Sequence, residues 1–211
     1  MIDASASGRL RLRYSPTSPF VRKVMVFLHE TGLRDRVDLV PTDAWSPETD
    51  LRQDTPLCKV PALILPDGTV MPESTLICDT LDHLHDGPRL FPEGPARVPA
   101  LRLLALGDGV ITACVVRIIE GRYRTTDDKQ AWWLGRQTAA IAATLDLLEA
   151  EAAALAAAPL SIGPLTIAVA LSYLSFRFPG DAWAETRPAL AAWHEDFCKR
   201  PSMVATQPPA A

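Results

Sequence analysis

The spacing of apolar residues along the chain changes period near residue 90. From Arg9 to Tyr14 the run RLRLRY alternates polar and apolar side chains, the two-residue repeat of a half-buried strand. After SPTS, the run PFVRKVMVFLHETG sets Phe20, Val24, Phe27 and Leu28 at helical spacing and meets a stop signal at Gly32. VDLVP, residues 37–41, reads as a second strand. VPALILPDGTVM reads as a hairpin turning at Asp67-Gly68. PESTLICDTLDHLHDG then predicts a helix opening at Glu73-Ser74, with Leu76, Thr80 and Leu84 on one side. A weaker helical segment lies between the second strand and the hairpin.

Four prolines and two glycines fall between Asp86 and Pro99 (DGPRLFPEGPARVP), which is linker chemistry. The pattern therefore divides the chain into a small α/β domain over 9–85, a linker over 86–99 and an all-α domain over 100–205. ALRLLALGDGVITACVVRIIEGRYR reads as one long amphipathic helix that Gly107 and Gly109 could kink, and DKQAWWLGRQTAAIAATLDLLEAEAAALAAA as an Ala/Leu-rich helix ending at Pro159. SIGPLTIAVALSYLSFRF is apolar nearly all round and predicts the buried central helix. RPALAAWHEDFCKRP closes the bundle, and the Pro-rich segment after it is expected to be loosely packed.

Composition narrows the chemistry. The 211 residues carry 48% hydrophobic and 22% charged side chains and a net charge of 21 − 25 = −4, a globular balance that argues against nucleic acid or an anionic membrane as the main partner. Cys58, Cys78, Cys114 and Cys198 show neither CxxC spacing nor a small disulfide framework, which suggests a reducing, cytoplasmic setting. MIDASASGRLRL lacks a long apolar core of the secretory kind, and the apolar stretch from Leu160 to Leu174 is too short to span a bilayer. His83 and His85 are two apart, so on a helix they point to different faces; no metal site is expected.

Three pieces, TSPFVRKV, KVPALIL…DGTVMPES and RPALAAWHEDFCKRP, together resemble the cytosolic glutathione transferases of the bacterial, serine-type kind. The resemblance runs from about Leu10 to Pro208. It implies a thioredoxin-like N-terminal domain, an all-α helical-bundle C-terminal domain, glutathione as co-substrate without a metal, a homodimer and a role in detoxification. It also implies that Ser18, which opens the first helix, touches the glutathione sulfur. A free thiol of pKa about 8.5 is only ~3% thiolate at pH 7. Lowering that pKa by ~2 units takes about 2.7 kcal/mol and raises the thiolate to roughly 75%. A Brønsted slope near 0.4–0.5 returns most of the gain, leaving a net benefit of ~2- to 4-fold, so positioning of the second substrate must supply most of any acceleration. The competing reading of Ser18 is a plain N-cap worth about 1 kcal/mol.

In the same family the proline of the KVP triplet is cis and the residue before it pairs its backbone with the cysteinyl part of glutathione. That assigns Val60 and Pro61, with Lys59 within reach of the glycyl carboxylate. Glu73 and Ser74 are assigned to the γ-glutamyl end: the acid to the ligand's ammonium, the hydroxyl and nearby helix N–H groups to its carboxylate. Two departures stand out. Thr55-Pro56-Leu57-Cys58 replaces the usual Asn-Pro-x-Gly, with a buried, inert thiol expected at Cys58. Ser161-Ile162-Gly163-Pro164 replaces a Ser/Thr-x-x-Asp capping box, leaving Ser161 able to cap without a reciprocal acid. The electrophile is expected between the two halves, with Phe20, Asp108, Thr112, Val115 and Tyr123 as lining candidates, and at most one of Trp132 and Trp133 facing a pocket. Besides transfer to a small hydrophobic electrophile, the resemblance allows a non-catalytic glutathione-binding protein, or a glutathione-dependent isomerase or dehalogenase.

Overall fold

A computed structural model describes residues 9–124 and 127–209. These fall into two compact units: the chain up to Phe91 together with the segment from Pro201 onward, and Pro92–Arg200. The first unit is built on four strands, β1 (Leu10–Tyr14), β2 (Val37–Pro41), β3 (Ala62–Ile64) and β4 (Val70–Pro72), in the order β2-β1-β3-β4. Helix α1 (Pro19–Glu30) connects β1 to its parallel neighbour β2, and α2 (Ser74–Asp82) follows β4. β3 runs antiparallel to β1, and β4 antiparallel to β3. This is a thioredoxin-like sheet, as the family resemblance implies.

Register decides which residues meet. Arg13 near the end of β1 pairs with Ala62 at the start of β3, and Ala62 pairs with Pro72 at the end of β4. The chain therefore leaves β1, enters β3 and leaves β4 at one edge of the sheet. Leu12, Val24, Phe27, Leu28, Leu63, Ile77 and Leu81 are fully buried and form the core under that edge. Arg13 fastens the preceding loop: its guanidinium donates to Asp50 at 2.9 and 3.1 Å and to Asp54 at 2.6 Å, holding the short 3-10 turn Asp50–Gln53. That turn is the weak helical segment of the sequence pattern.

The second unit holds α3 (Arg97–Tyr123), α4 (Asp128–Ala150), α5 (Ala152–Ala157), α6 (Ile162–Arg177) and α7 (Pro188–Cys198). α6 is buried along nearly its whole length, from Ile162 to Leu174, as its uniform apolarity predicts. Its main neighbour is α3, and two glycines set how close they come. A Cβ on Gly163 would lie 2.6 Å from the Ala100 carbonyl oxygen, and one on Gly107 would lie 2.8 Å from Thr166 Cγ2. α3 is continuous, so Gly107 is a contact residue and not a hinge.

Several expectations are corrected. The linker does not extend to Pro99, because α3 starts at Arg97. Pro99 sits in the first turn, where a missing N–H breaks no helical bond. The start of the same stretch belongs to the first unit: Asp82 accepts from the backbone N–H of Leu90 and Phe91, both at 2.9 Å, and His85 Nε2 lies 3.1 Å from it. The alanine-rich helix breaks at Glu151, which forms a two-pronged pair with Arg102 at 2.7 and 2.8 Å. As far as Ala205, the segment after Arg200 is not loose. It forms α8 (Pro201–Ala205), which packs on α1 with Met203 and Ser202 buried; Arg22 donates to the Met203 carbonyl, and Ser202 to Glu30. Ser161 sits at the N-cap of α6 without a capping bond, since the third helical position, one of the two donors such a side chain can use, is Pro164.

The two kinds of glycine predict opposite outcomes. Gly163→Ala should lower unfolding free energy by about 1–3 kcal/mol, because a backbone carbonyl blocks the new methyl. Gly109→Ala, with nothing within 4 Å of its added Cβ, should raise it by up to about 1 kcal/mol. Urea midpoints of the two variants against the parent chain test both signs.

Candidate glutathione site

Two helices open at the sheet edge defined above. At the first, Ser18 has the extended backbone of an N-cap, Pro19 takes the first helical position, and Ser18 Oγ accepts from the Val21 N–H at 3.3 Å. The capping reading of Ser18 is thus part of the structure. It leaves the other function open, because accepting uses a lone pair and the hydroxyl proton stays available to donate. Phe20 follows on the half-buried side of α1.

The loop into β3 is shaped by two backbone features. The Val60–Pro61 peptide bond is cis. Cys58 has φ 49°, a left-handed conformation that favours glycine and costs a side-chain-bearing residue on the order of 1–2 kcal/mol. The cysteine therefore occupies a backbone conformation that a glycine would adopt without that cost. Its thiol is half-buried, not buried as expected. Lys59 is exposed and Val60 half-exposed.

The second helix start is the most constrained. Glu73 also has a positive φ, 70°, and its carboxylate folds back over the head of α2. It accepts from the Thr75 N–H at 3.0 Å and the Leu76 N–H at 3.3 Å, and Ser74 Oγ donates to it at 2.9 Å. This differs from the expected arrangement, in which Ser74 and the helix N–H groups face a ligand carboxylate. A carboxylate of the protein's own sits there, stabilised by the partial positive charge of the helix start. Burial opposes its charge, but the Thr75 N–H, the Ser74 hydroxyl and the Lys23 ammonium outweigh that and hold its pKa below the ordinary glutamate range.

Lys23 is the residue that sequence reasoning missed. It is completely buried on α1, and its Nζ donates to Thr75 Oγ1 at 3.1 Å, joining α1 to the first turn of α2. The signal was present: Lys23 lies three residues after Phe20 and four before Phe27, on the apolar stripe of the helix. An ammonium on such a stripe needs a partner, and the Glu73-Ser74-Thr75 corner supplies one.

In the second unit, Asp108, Thr112, Val115 and Tyr123 follow one another at helical steps along one flank of α3, beside the face that carries Leu104, Ile111 and Cys114. Asp108 and Val115 are half-buried, while Thr112 and Tyr123 are exposed. Trp132 and Trp133 do not split as expected. Their ring centroids are 6.3 Å apart, and both line an open groove of about 420 Å³ with Arg124, Asp128 and Lys129. Among the described residues, no three His, Cys, Asp or Glu side chains group as a metal site would require.

Comparison with known proteins gives this arrangement its context. A sequence model of the family described as "Glutathione S-transferase, N-terminal domain" matches residues 17–84, the span from before Ser18 to beyond α2. The "Uncharacterized GST-like protein YibF" of Escherichia coli (strain K12) is 31% identical over 206 residues, covering 96% of this chain and all of the relative. A glutathione transferase family member from Pseudomonas fluorescens Pf-5, solved with bound glutathione, superimposes with a TM-score of 0.90 at 44% identity over 95% of this chain and all of the other. A glutathione S-transferase from Methylobacillus flagellatus, also solved with glutathione, gives 0.87 at 30% identity with the same coverage. With a relative matched along its whole length, and with both the sheet and the helical unit reproduced, the chain belongs to the glutathione S-transferase family.

Proposed function

We propose that the chain is a serine-type glutathione transferase, in which Ser18 stabilises the glutathione thiolate for attack on a small hydrophobic electrophile. The observation that carries this reading is the convergence of Ser18, the cis Val60–Pro61 bond and Glu73-Ser74 at one edge of the first unit's sheet. Those positions suit, in turn, the sulfur, the cysteinyl backbone and the γ-glutamyl end of glutathione. Val60 offers its backbone N–H and C=O to the cysteinyl residue, and Pro61 fixes that presentation. Lys59 lies beside it for the glycyl carboxylate. The helix start at Ser18 favours negative charge on sulfur, and the Ser18 proton completes the interaction.

At the γ-glutamyl end, binding is an exchange. Glu73 turns from the N–H groups of Thr75 and Leu76 towards the ligand's ammonium, and the ligand's carboxylate takes its place at the helix start and Ser74 Oγ. The helix start holds a carboxylate in both states, Glu73 gains the ligand's ammonium, and Lys23 stays close enough to balance whichever carboxylate is there. Phe20, Asp108, Thr112, Val115 and Tyr123 remain the candidates for contact with the electrophile. Cytoplasmic residence and a homodimer complete the reading; both rest on the family resemblance.

Three measurements test this reading. In Ser18→Ala, glutathione affinity by calorimetry should stay within about threefold while the pKa of the bound thiol rises by ~1–2 units, followed by thiolate absorbance. An unchanged thiol pKa would leave Ser18 as a helix cap alone. Glu73→Ala and Ser74→Ala should each weaken glutathione binding at least tenfold, about 1.4 kcal/mol. A panel of aryl halides, enones and isothiocyanates should reveal turnover; binding without turnover of any member would make the protein a glutathione binder.

Glu73 also carries a pH signature. Its pKa is lowered by folding, so its contribution to stability is present above the ordinary glutamate value and lost as pH falls through the depressed one. The parent chain should exceed Glu73→Ala by about 1 kcal/mol near pH 7 in urea unfolding, with the gap closing in acid.

A further inference from the structure

Three side chains with nucleophilic or basic atoms meet in the second unit, where the transferase reading uses none of them. His194 and Cys198 are four residues apart on α7 and so leave the same side of that helix. Their Nε2 and Sγ atoms are 3.3 Å apart. α6 contributes Ser172, whose Oγ is 2.9 Å from His194 Nε2 and 3.7 Å from Cys198 Sγ. The imidazole is held from another side by buried Trp183, which meets it edge-on at 5.7 Å and donates its own N–H to Ser175 Oγ at 2.9 Å.

Among the described residues, Cys198 is the one thiol that combines access with a base. Cys78 and Cys114 are buried, and burial pushes the Cys114 thiol up to about 12. Cys58 is half-buried like Cys198, but no ring nitrogen is bonded to it among the described residues.

We propose that Cys198 is a modification site that exchanges with low-molecular-weight disulfides, with His194 as its base and Ser172 as the hydroxyl that hydrogen-bonds the pair. Neutral His194 takes the proton from Sγ, and the thiolate attacks one sulfur of the disulfide. The S–S bond of the small molecule breaks as the Cys198 S–S bond forms. The released thiolate recovers the proton from His194. One disulfide is consumed, one is made and one thiol is set free, so no further oxidant is needed, and excess thiol reverses the step. The proposal does not depend on the glutathione site at the sheet edge.

The test uses the full chain and glutathione disulfide near neutral pH, with the adduct at each cysteine followed over time by peptide mass mapping. Cys198 should be modified at least ~10-fold faster than Cys58, and dithiothreitol should remove the adduct. His194→Gln should slow Cys198 about tenfold while leaving Cys58 unchanged. The same ratios should appear with iodoacetamide, which reports the thiolate without a disulfide. Equal rates at Cys198 and Cys58 in the parent chain would overturn the proposal, and that comparison requires no variant to fold. A folded His194→Gln chain that reacts at the parent rate would overturn it too.

Discussion

An α-helix cannot pair its own first N–H groups, and the first unit opens two helices at the same edge of one small sheet. The unmet donors of α1 and α2 are the constraint from which the candidate site follows. Each helix start takes a different solution. At α1 a neutral hydroxyl covers one donor and keeps its own proton. At α2 a full carboxylate covers two, drawing in a serine and, from below, a buried lysine. The first leaves a place where charge can develop; the second already contains charge and can trade it. A tripeptide with a thiol in its middle and a zwitterion at one end suits that pair of solutions.

The placement of these groups depends on strand register more than on the residues themselves. Because Ala62 is paired with both Arg13 and Pro72, three segments far apart in sequence are brought to one edge. A shift of one residue in either pairing would turn every side chain of a strand to the other face. The Arg13 fork on Asp50 and Asp54 works towards the same end. It ties the loop that precedes the cis bond to the strand beside which that bond must lie.

Much of this was legible in the sequence. The alternation of RLRLRY, the helical spacing after Pro19, the Asp67-Gly68 turn and the uniform apolarity of α6 each express a local rule, and each gave its element within a residue or two. What was not legible depends on neighbours distant along the chain. The spacing of Lys23 marks it as a charge on an apolar stripe, but its partner, the Thr75 hydroxyl 52 residues on, appears only in the fold. Gly107 looks like a hinge until Thr166 is found where its side chain would be. Ser161 looks like a cap, and there the sequence did hold a hint, since Pro164 removes one of the two N–H groups a cap can use. Glu73 reads as a ligand-facing acid, yet its carboxylate lies on the helix start, because a helix dipole attracts the nearest anion.

The return of α8 to α1 has a bearing on how the chain is made. The first unit is discontinuous: Met203, 181 residues after the Arg22 it bonds, packs against α1. As the polypeptide emerges from the ribosome, the sheet and its two helices are available early, but α1 lacks its bonds to the Met203 carbonyl and Ser202 until α8 arrives. The intervening hundred residues are in effect an insertion within a domain, and synthesis of that insertion sets the interval for which the earlier half must wait.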